Sequence, residues 1–202
     1  MVLVILFQPE LRKALETMGR GTLLDTKKRR DDSDAQEKIV SEIIQCLTNL
    51  SRRRVGALIV FERKTGLQDV IETGIPIDAQ ISAALLENIF EPNTPLHDGA
   101  VVVRGERVQA GACILTLTEG RGISHELGTR HRAAIGVSEN TDAVVLIVSE
   151  ETGIISMAKG GRLTRHLDAK SLKEILGGLY EQNSHVRLLE GLLNRTRKEE
   201  EK

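Results

Sequence analysis

The chain has no tryptophan, one tyrosine and three phenylalanines among its 202 residues. Gripping single-stranded nucleic acid by base stacking needs more aromatic surface than that. Surplus charge is also missing: 28 Lys and Arg stand against 29 Asp and Glu, for a net charge of −1. A whole-molecule field that gathers nucleic acid is therefore excluded, and no nucleic-acid partner is expected. Cysteine is nearly absent. Cys46 and Cys113 stand alone, outside any CxxC or CxxxH pattern, which points to a reducing compartment and against a zinc site. Long apolar runs are lacking too. The most apolar stretch, MVLVILF at positions 1–7, falls far short of the roughly 20 residues a membrane helix requires. With no basic flank before it and no small-residue cleavage site after it, it does not read as a signal peptide. Two readings of it stay open: the last turns of a spanning helix that begins earlier, or an ordinary helix packed on a core. Finally, neither GxxxxGK[ST] nor GxGxxG occurs, so the P-loop and Rossmann arrangements are excluded.

What is present reads as α/β. Residues 8–20 have helical spacing, with Leu11, Leu15 and Met18 on one stripe, Pro9 in the first turn, and Gly19 and Gly21 ending it. TKKRRDDSDAQ follows as a charged linker. From Ala35 to Arg53 a second helix is marked by Ile39, Ile43, Leu47 and Leu50, and the RRR at 52–54 complements its C-terminal dipole. VGALIVF (55–61), AVVVRG (100–105) and RVQAGACILTL (107–117) read as buried strands, the last two joined by a tight turn at Gly105–Glu106. Between the first two, a helix is expected from Asp78 as its N-cap to Pro92 at its end. TDAVVLIVSEETGIISMAKGGRL gives strand, turn, strand, turn, and DAKSLKEILGGLYEQN gives a capped helix. The expectation is a single α/β domain, a mixed twisted β-sheet flanked by helices, plus an N-terminal helical extension. Its boundaries fall at 1–34 for the extension and linker, 35–180 for the domain, and 181–202 for a helical tail.

Three stretches carry possible chemistry. In LGTRHRAAIG, Thr129 is placed to cap a helix whose first turn holds Arg130, His131 and Arg132. That end already carries about half a positive charge and exposes unpaired N–H groups, so cations there break a local rule. Either neighbouring carboxylates neutralise them, or a strongly anionic ligand such as a polyphosphate does. In PNTPLHDGAVVV, His97 and Asp98 stand just before an apolar strand, and Gly99 removes a side chain where a ligand could meet the backbone. A carboxylate there can bind metal or accept a proton from a hydroxyl, although Asp-Gly is also a common turn. In VVLIVSEETG, Ser149, Glu150 and Glu151 close a strand and open a turn. Together these groups suit a nucleotide phosphate with magnesium or manganese.

At these residues the chain resembles the bacterial diadenylate cyclases. The family's two hallmark motifs, DGA and RHR, stand here as Asp98–Gly99–Ala100 and Arg130–His131–Arg132. The likeness extends from about Phe7 to Leu176, and FQPELRKAL resembles the membrane-anchored subtype. It implies an enzyme that joins two ATP molecules into cyclic di-AMP, with two protomers face to face. It further implies that Asp98 activates the 3′-hydroxyl, that Gly99 and Ala100 lie at the sugar, and that Thr129, Arg130, His131, Arg132 and Ser149 hold phosphates. His97, Asp98 and Glu151 would be ligands for manganese or magnesium, and Leu115 would lie along the adenine. Where some relatives carry an aromatic residue just before that leucine, this chain has Ile114. The resemblance also implies a cytoplasmic catalytic portion of a membrane-anchored protein, a membrane-bound regulator and a cell-wall precursor enzyme as partners. The alternative is a module that senses ATP or cyclic di-AMP without turning it over.

Overall fold

The two most uniformly apolar runs lie side by side at the centre of a seven-stranded sheet in the computed structural model, which describes residues 33–118 and 128–181. In chain order the elements are α1 (33–53), β1 (Ala57–Phe61), α2 (Gln68–Ile71), β2 (Ile75–Gln80), α3 (Ala83–Ile89), β3 (Ala100–Arg104), β4 (Arg107–Cys113), α4 (Thr129–Asn140), β5 (Val144–Val148), β6 (Ile155–Lys159), β7 (Arg162–Arg165) and α5 (169–181). The strands run β2-β4-β3-β1-β5-β6-β7 across the sheet. Only β1 and β3 pair in parallel; every other pairing is antiparallel. The chain divides between Lys38 and Ile39 into two units. Of the first, only 33–38 are described, as largely exposed helix. The apolar start, the helix expected over 8–20 and the tail beyond 181 lie outside the described residues.

Both faces of the sheet are covered, which is why its central strands read as unbroken apolar runs. Alternation sends Ala57, Ile59 and Phe61 of β1 to one cluster, and Leu58 and Val60 to the other. The first cluster also takes Ile43, Leu47 and Leu50 of α1, Leu86 and Ile89 of α3, and Leu172 and Leu176 of α5. The second is built around Ala133, Ala134, Ile135 and Val137 of α4. Each buries one cysteine, and burial pushes the Cys46 thiol up to about 12 and the Cys113 thiol up to about 11. Neither is a nucleophile at neutral pH.

Several local expectations need correction. Asp78 does not cap a helix. It lies in edge strand β2 at φ 45°, where the register with β4 shifts, and is bound by Arg107 Nε at 2.6 Å. The helix begins later, at Ala83, with the Ser82 hydroxyl accepting from the Leu85 N–H at 3.2 Å. Strand β4 stops at Cys113 rather than Leu117, because the segment after it turns to run against α4. Thr118 N–H donates to Arg132 O at 3.1 Å. The short α2 was not foreseen.

Gly136 makes that contact with α4 possible. A Cβ there would lie 2.2 Å from Thr116 O and 2.8 Å from Thr118 N, both backbone atoms with little freedom to move. Gly136→Ala is therefore expected to cost about 1–3 kcal/mol through overpacking. That corresponds to a thermal midpoint lower by roughly 4–10 °C, and calorimetry on the two proteins measures it.

Candidate functional site

Strand register brings the three sequence stretches to one end of the sheet. Ala57 at the start of β1 faces Val148 at the end of β5, and β3 starts alongside β1 in parallel. Asp98 and Gly99 lead into β3, Ser149–Glu151 leave β5, and Ile114 and Leu115 leave β4 opposite Ala100. The start of α4 lies over the same end.

There α4 begins as its sequence suggests, with one correction. The N-cap is Gly128, whose extended backbone (φ −62°, ψ 170°) makes no side-chain cap, and its carbonyl accepts from the N–H groups of His131 and Arg132. Thr129 is the first helical residue, and it lines the cleft at the helix end. No acidic residue sits in the first turn. Of the two ways to neutralise the basic cluster, the carboxylate network is realised for Arg130, whose Nη1 meets Glu150 Oε2 at 2.5 Å. Arg132 is exposed and has no ion pair among the described residues. Since the Glu150 side chain is 62% exposed, its pair with Arg130 is a solvent-screened contact worth about 0–1 kcal/mol. An incoming phosphate can displace it.

His131 is only 6% exposed, and its Nε2 has no hydrogen-bond partner among the described residues. Burial, and after it the Arg165 guanidinium, hold the imidazole below its usual pKa, against the opposing pull of Glu151. The ring is thus neutral near pH 7, and an unsatisfied nitrogen this deeply buried is costly unless a ligand meets it. A cleft opens here between Thr129–His131 on one side and Ser149–Thr152 on the other. The second wall is a closed turn: Gly153 N–H donates to Ser149 O at 2.8 Å, and Thr152 N–H to the Ser149 hydroxyl at 3.3 Å. Ser51 Oγ at the end of α1 anchors the turn by donating to Gly153 O at 2.6 Å.

Asp98 is exposed and outside this cleft. It comes off β3 and the cleft wall comes off β5, with β1 between them, so the two start about 10 Å apart at ordinary strand spacing. Gly99 is required by the fold as well as open to a ligand. Its φ is +130°, and a Cβ would lie 2.6 Å from Ala112 C in β4. The Ala100 side chain is fully buried, leaving its backbone as the part a ligand can touch. Leu115 is 9% exposed under α4 while Ile114 is 72% exposed, so the free apolar surface at this edge belongs to Ile114.

The metal candidates His97, Asp98 and Glu151 stand at the same end of the sheet. His97 turns its Nδ1 to Thr94 O at 2.6 Å, and Asp98 and Glu151 rise from strands separated by β1. Among the described residues no three His, Cys, Asp or Glu side chains are grouped to hold a metal ion. A magnesium or manganese ion here would have to draw its remaining ligands from the phosphates of a bound nucleotide.

Two participants escaped sequence reasoning. One is Gly56, just before β1: a Cβ there would meet Arg130 Nη1 at 2.8 Å and Glu150 Oε2 at 3.0 Å, so its bare backbone is the floor on which that pair rests. The other is Arg165, at the end of β7, which lines the cleft beside His131. No motif marks either one; only the strand order shows their place.

Fold and cleft together define an α/β domain with a cleft at the end of its sheet that is lined by Arg130, His131 and Arg165. A model of the family described as DisA bacterial checkpoint controller nucleotide-binding matches residues 44–163. The chain is 50% identical over 184 residues to the cyclic di-AMP synthase CdaA of Bacillus subtilis, covering 91% of itself and 67% of that protein. It is 49% identical to a diadenylate cyclase of Listeria monocytogenes, covering 87% of itself and 64% of that one. It thus spans about two thirds of the length of these relatives. Among solved structures, DacA from Staphylococcus aureus, as a double mutant, aligns with a TM-score of 0.70 at 48% identity over 71% of this chain and 96% of that one. A hypothetical membrane-spanning protein from Bacillus cereus aligns at 0.62 and 49% identity over 63% of each chain. The chain belongs to the diadenylate cyclase (DAC) domain family. Among the described residues, no helix is long and apolar enough to cross a membrane.

Proposed function

We infer that this chain condenses two ATP molecules into cyclic di-AMP and two pyrophosphates, as a nucleotidyltransferase of the diadenylate cyclase class. The observation that carries this reading is the start of α4: a buried imidazole nitrogen without a partner, two arginines, and no acid in the first turn. Such an end is completed by phosphate. Thr129, Arg130 and His131 hold the phosphates from one side of the cleft and Ser149 from the other, with Arg132 adding charge beside them. Asp98 accepts the proton of the 3′-hydroxyl, and the resulting oxygen attacks the α-phosphorus of the second ATP as the bond to the β-phosphate breaks. Gly99 and the Ala100 backbone border the sugar; Ile114, with Leu115 behind it, borders the base.

Two protomers meet face to face in this reading, because one protomer has only one nucleotide to offer. In the whole protein this portion works on the cytoplasmic side of a membrane anchor, a view supported by the description of the Bacillus cereus relative. A magnesium or manganese ion brought in with the triphosphate would be held by its phosphate oxygens together with His97, Asp98 or Glu151, and would draw charge from the phosphate under attack.

Incubating the protein with ATP and manganese, followed by mass spectrometry, tests the reading. Cyclic di-AMP and pyrophosphate in a ratio of one to two are expected. Bound but unaltered ATP would establish the alternative, a sensing module.

A further inference from the structure

The end of the sheet sets its polar groups out strand by strand. Asp98 precedes β3, Gly56 precedes β1, Ser149–Glu151 follow β5, and β7 ends at Arg165, which is in register with Ser156 near the start of β6. The arrangement has a direction, from an acid at one side to a cation at the other, with the cleft between. Arg165 belongs to neither hallmark motif. Its side chain is exposed, it lines the cleft next to His131, and it makes no hydrogen bond or ion pair among the described residues. Register and alternation put it on the same face of the sheet as α4, because its neighbour but one, Leu163, packs into the α4 cluster. Among the described residues, the cleft therefore holds a guanidinium without an ion pair and a buried imidazole nitrogen without a hydrogen-bond partner, from two elements distant in sequence.

We propose that Arg165 binds the β- and γ-phosphates of ATP and the pyrophosphate that leaves. This deepens the diadenylate cyclase reading and rests on it. A nucleotide whose sugar lies at Asp98 and whose α-phosphate lies against Arg130 and Ser149 extends its remaining phosphates toward β7. Two strand spacings, about 10 Å, separate β5 from β7, a span that the triphosphate tail and the long arginine side chain cover together. A guanidinium suits the task because its fixed fork of donors matches phosphate oxygens. Its charge develops no new bond; it receives the negative charge that builds on the departing pyrophosphate.

The test compares two ligands that differ in the relevant atoms. ATP carries the β- and γ-phosphates, whereas cyclic di-AMP has none. Titration calorimetry of the intact chain and of Arg165→Gln is done with 3′-deoxy-ATP, which lacks the nucleophile and cannot react, and with cyclic di-AMP. The variant should bind 3′-deoxy-ATP about tenfold or more weakly, the typical effect of losing a hydrogen bond to a charged group. Its affinity for cyclic di-AMP should stay within about twofold, and Arg165→Lys should recover part of the loss. Equal weakening toward both ligands would show a structural or α-phosphate role and overturn the assignment, as would unchanged 3′-deoxy-ATP binding. If the unaltered chain binds neither nucleotide, the diadenylate cyclase reading falls and takes this assignment with it. If only the variant's pattern fails, that reading stands.

Discussion

Asp98→Asn is expected to abolish cyclic di-AMP synthesis while leaving ATP binding nearly intact. The substitution keeps the size and shape of the side chain and removes only its ability to take a proton. Asp98 is exposed, and no hydrogen bond or ion pair among the described residues depends on it, so the fold has little to lose. Its position is fixed from behind. Gly99 at φ +130° is pressed on the Ala112 backbone of β4, which holds the turn that presents the carboxylate. Removing a general base typically lowers a rate by 10²–10⁴-fold. Asp98 does not line the cleft across β1, where the proposed reading holds the phosphates. The expected result is therefore a loss of about a hundredfold or more in kcat, with Kd for ATP changed by less than about threefold. Calorimetry for binding and mass spectrometry for product separate the two. Synthesis at the normal rate would remove Asp98 from its role, and loss of binding would move the phosphate site toward β3.

The sheet was legible in the sequence because both of its faces are buried. β1 and β5 pack against helices on either side, so every residue must be apolar and the runs stand out. The helix ends were read less well. Asp78 and Thr129 are residue types that favour caps, yet the caps are Ser82 and Gly128. At Asp78 pairing with β4 held the chain in an edge strand, and at Thr129 a backbone conformation alone began the helix. Capping propensity is local and worth about 1 kcal/mol, so a ladder of strand hydrogen bonds overrides it. The site divides in the same way. The RHR stretch announces itself because it breaks a local rule, whereas DGA reads alone as an ordinary turn and stands out through the family resemblance. Gly56 and Arg165 break none, and their place at the cleft comes from which strands end together, a long-range property. His97, Asp98 and Glu151 are suitable ligands individually, and β1 stands between the strands that carry the two acids, so a shared ion would depend on phosphate oxygens as well.

That same separation bears on how many copies of the chain the reaction needs. Nucleophilic attack requires the reacting oxygen and phosphorus to approach within about 3–3.5 Å. A sugar oxygen held at Asp98 and a phosphate held at the start of α4 belong to regions about 10 Å apart. Attack on the α-phosphorus of its own ATP would close a 3′,5′-cyclic monophosphate, so the two linkages of cyclic di-AMP require the phosphorus of a second nucleotide. A second protomer turned through a two-fold axis puts its phosphate opposite the first one's acid, and its acid opposite the first one's phosphate. Both bonds of the cyclic product then form between the same two faces. The consequence is kinetic. Below the dimer dissociation constant, the rate per protomer should fall in proportion to concentration, so a tenfold dilution lowers it about tenfold, while above that constant it levels off, as mass action requires. The dilution series is run at saturating ATP, with analytical ultracentrifugation on the same samples to locate the dissociation constant. A rate per protomer that stays flat from dimer to monomer would mean that a single copy brings oxygen and phosphorus together, and the face-to-face arrangement would be wrong.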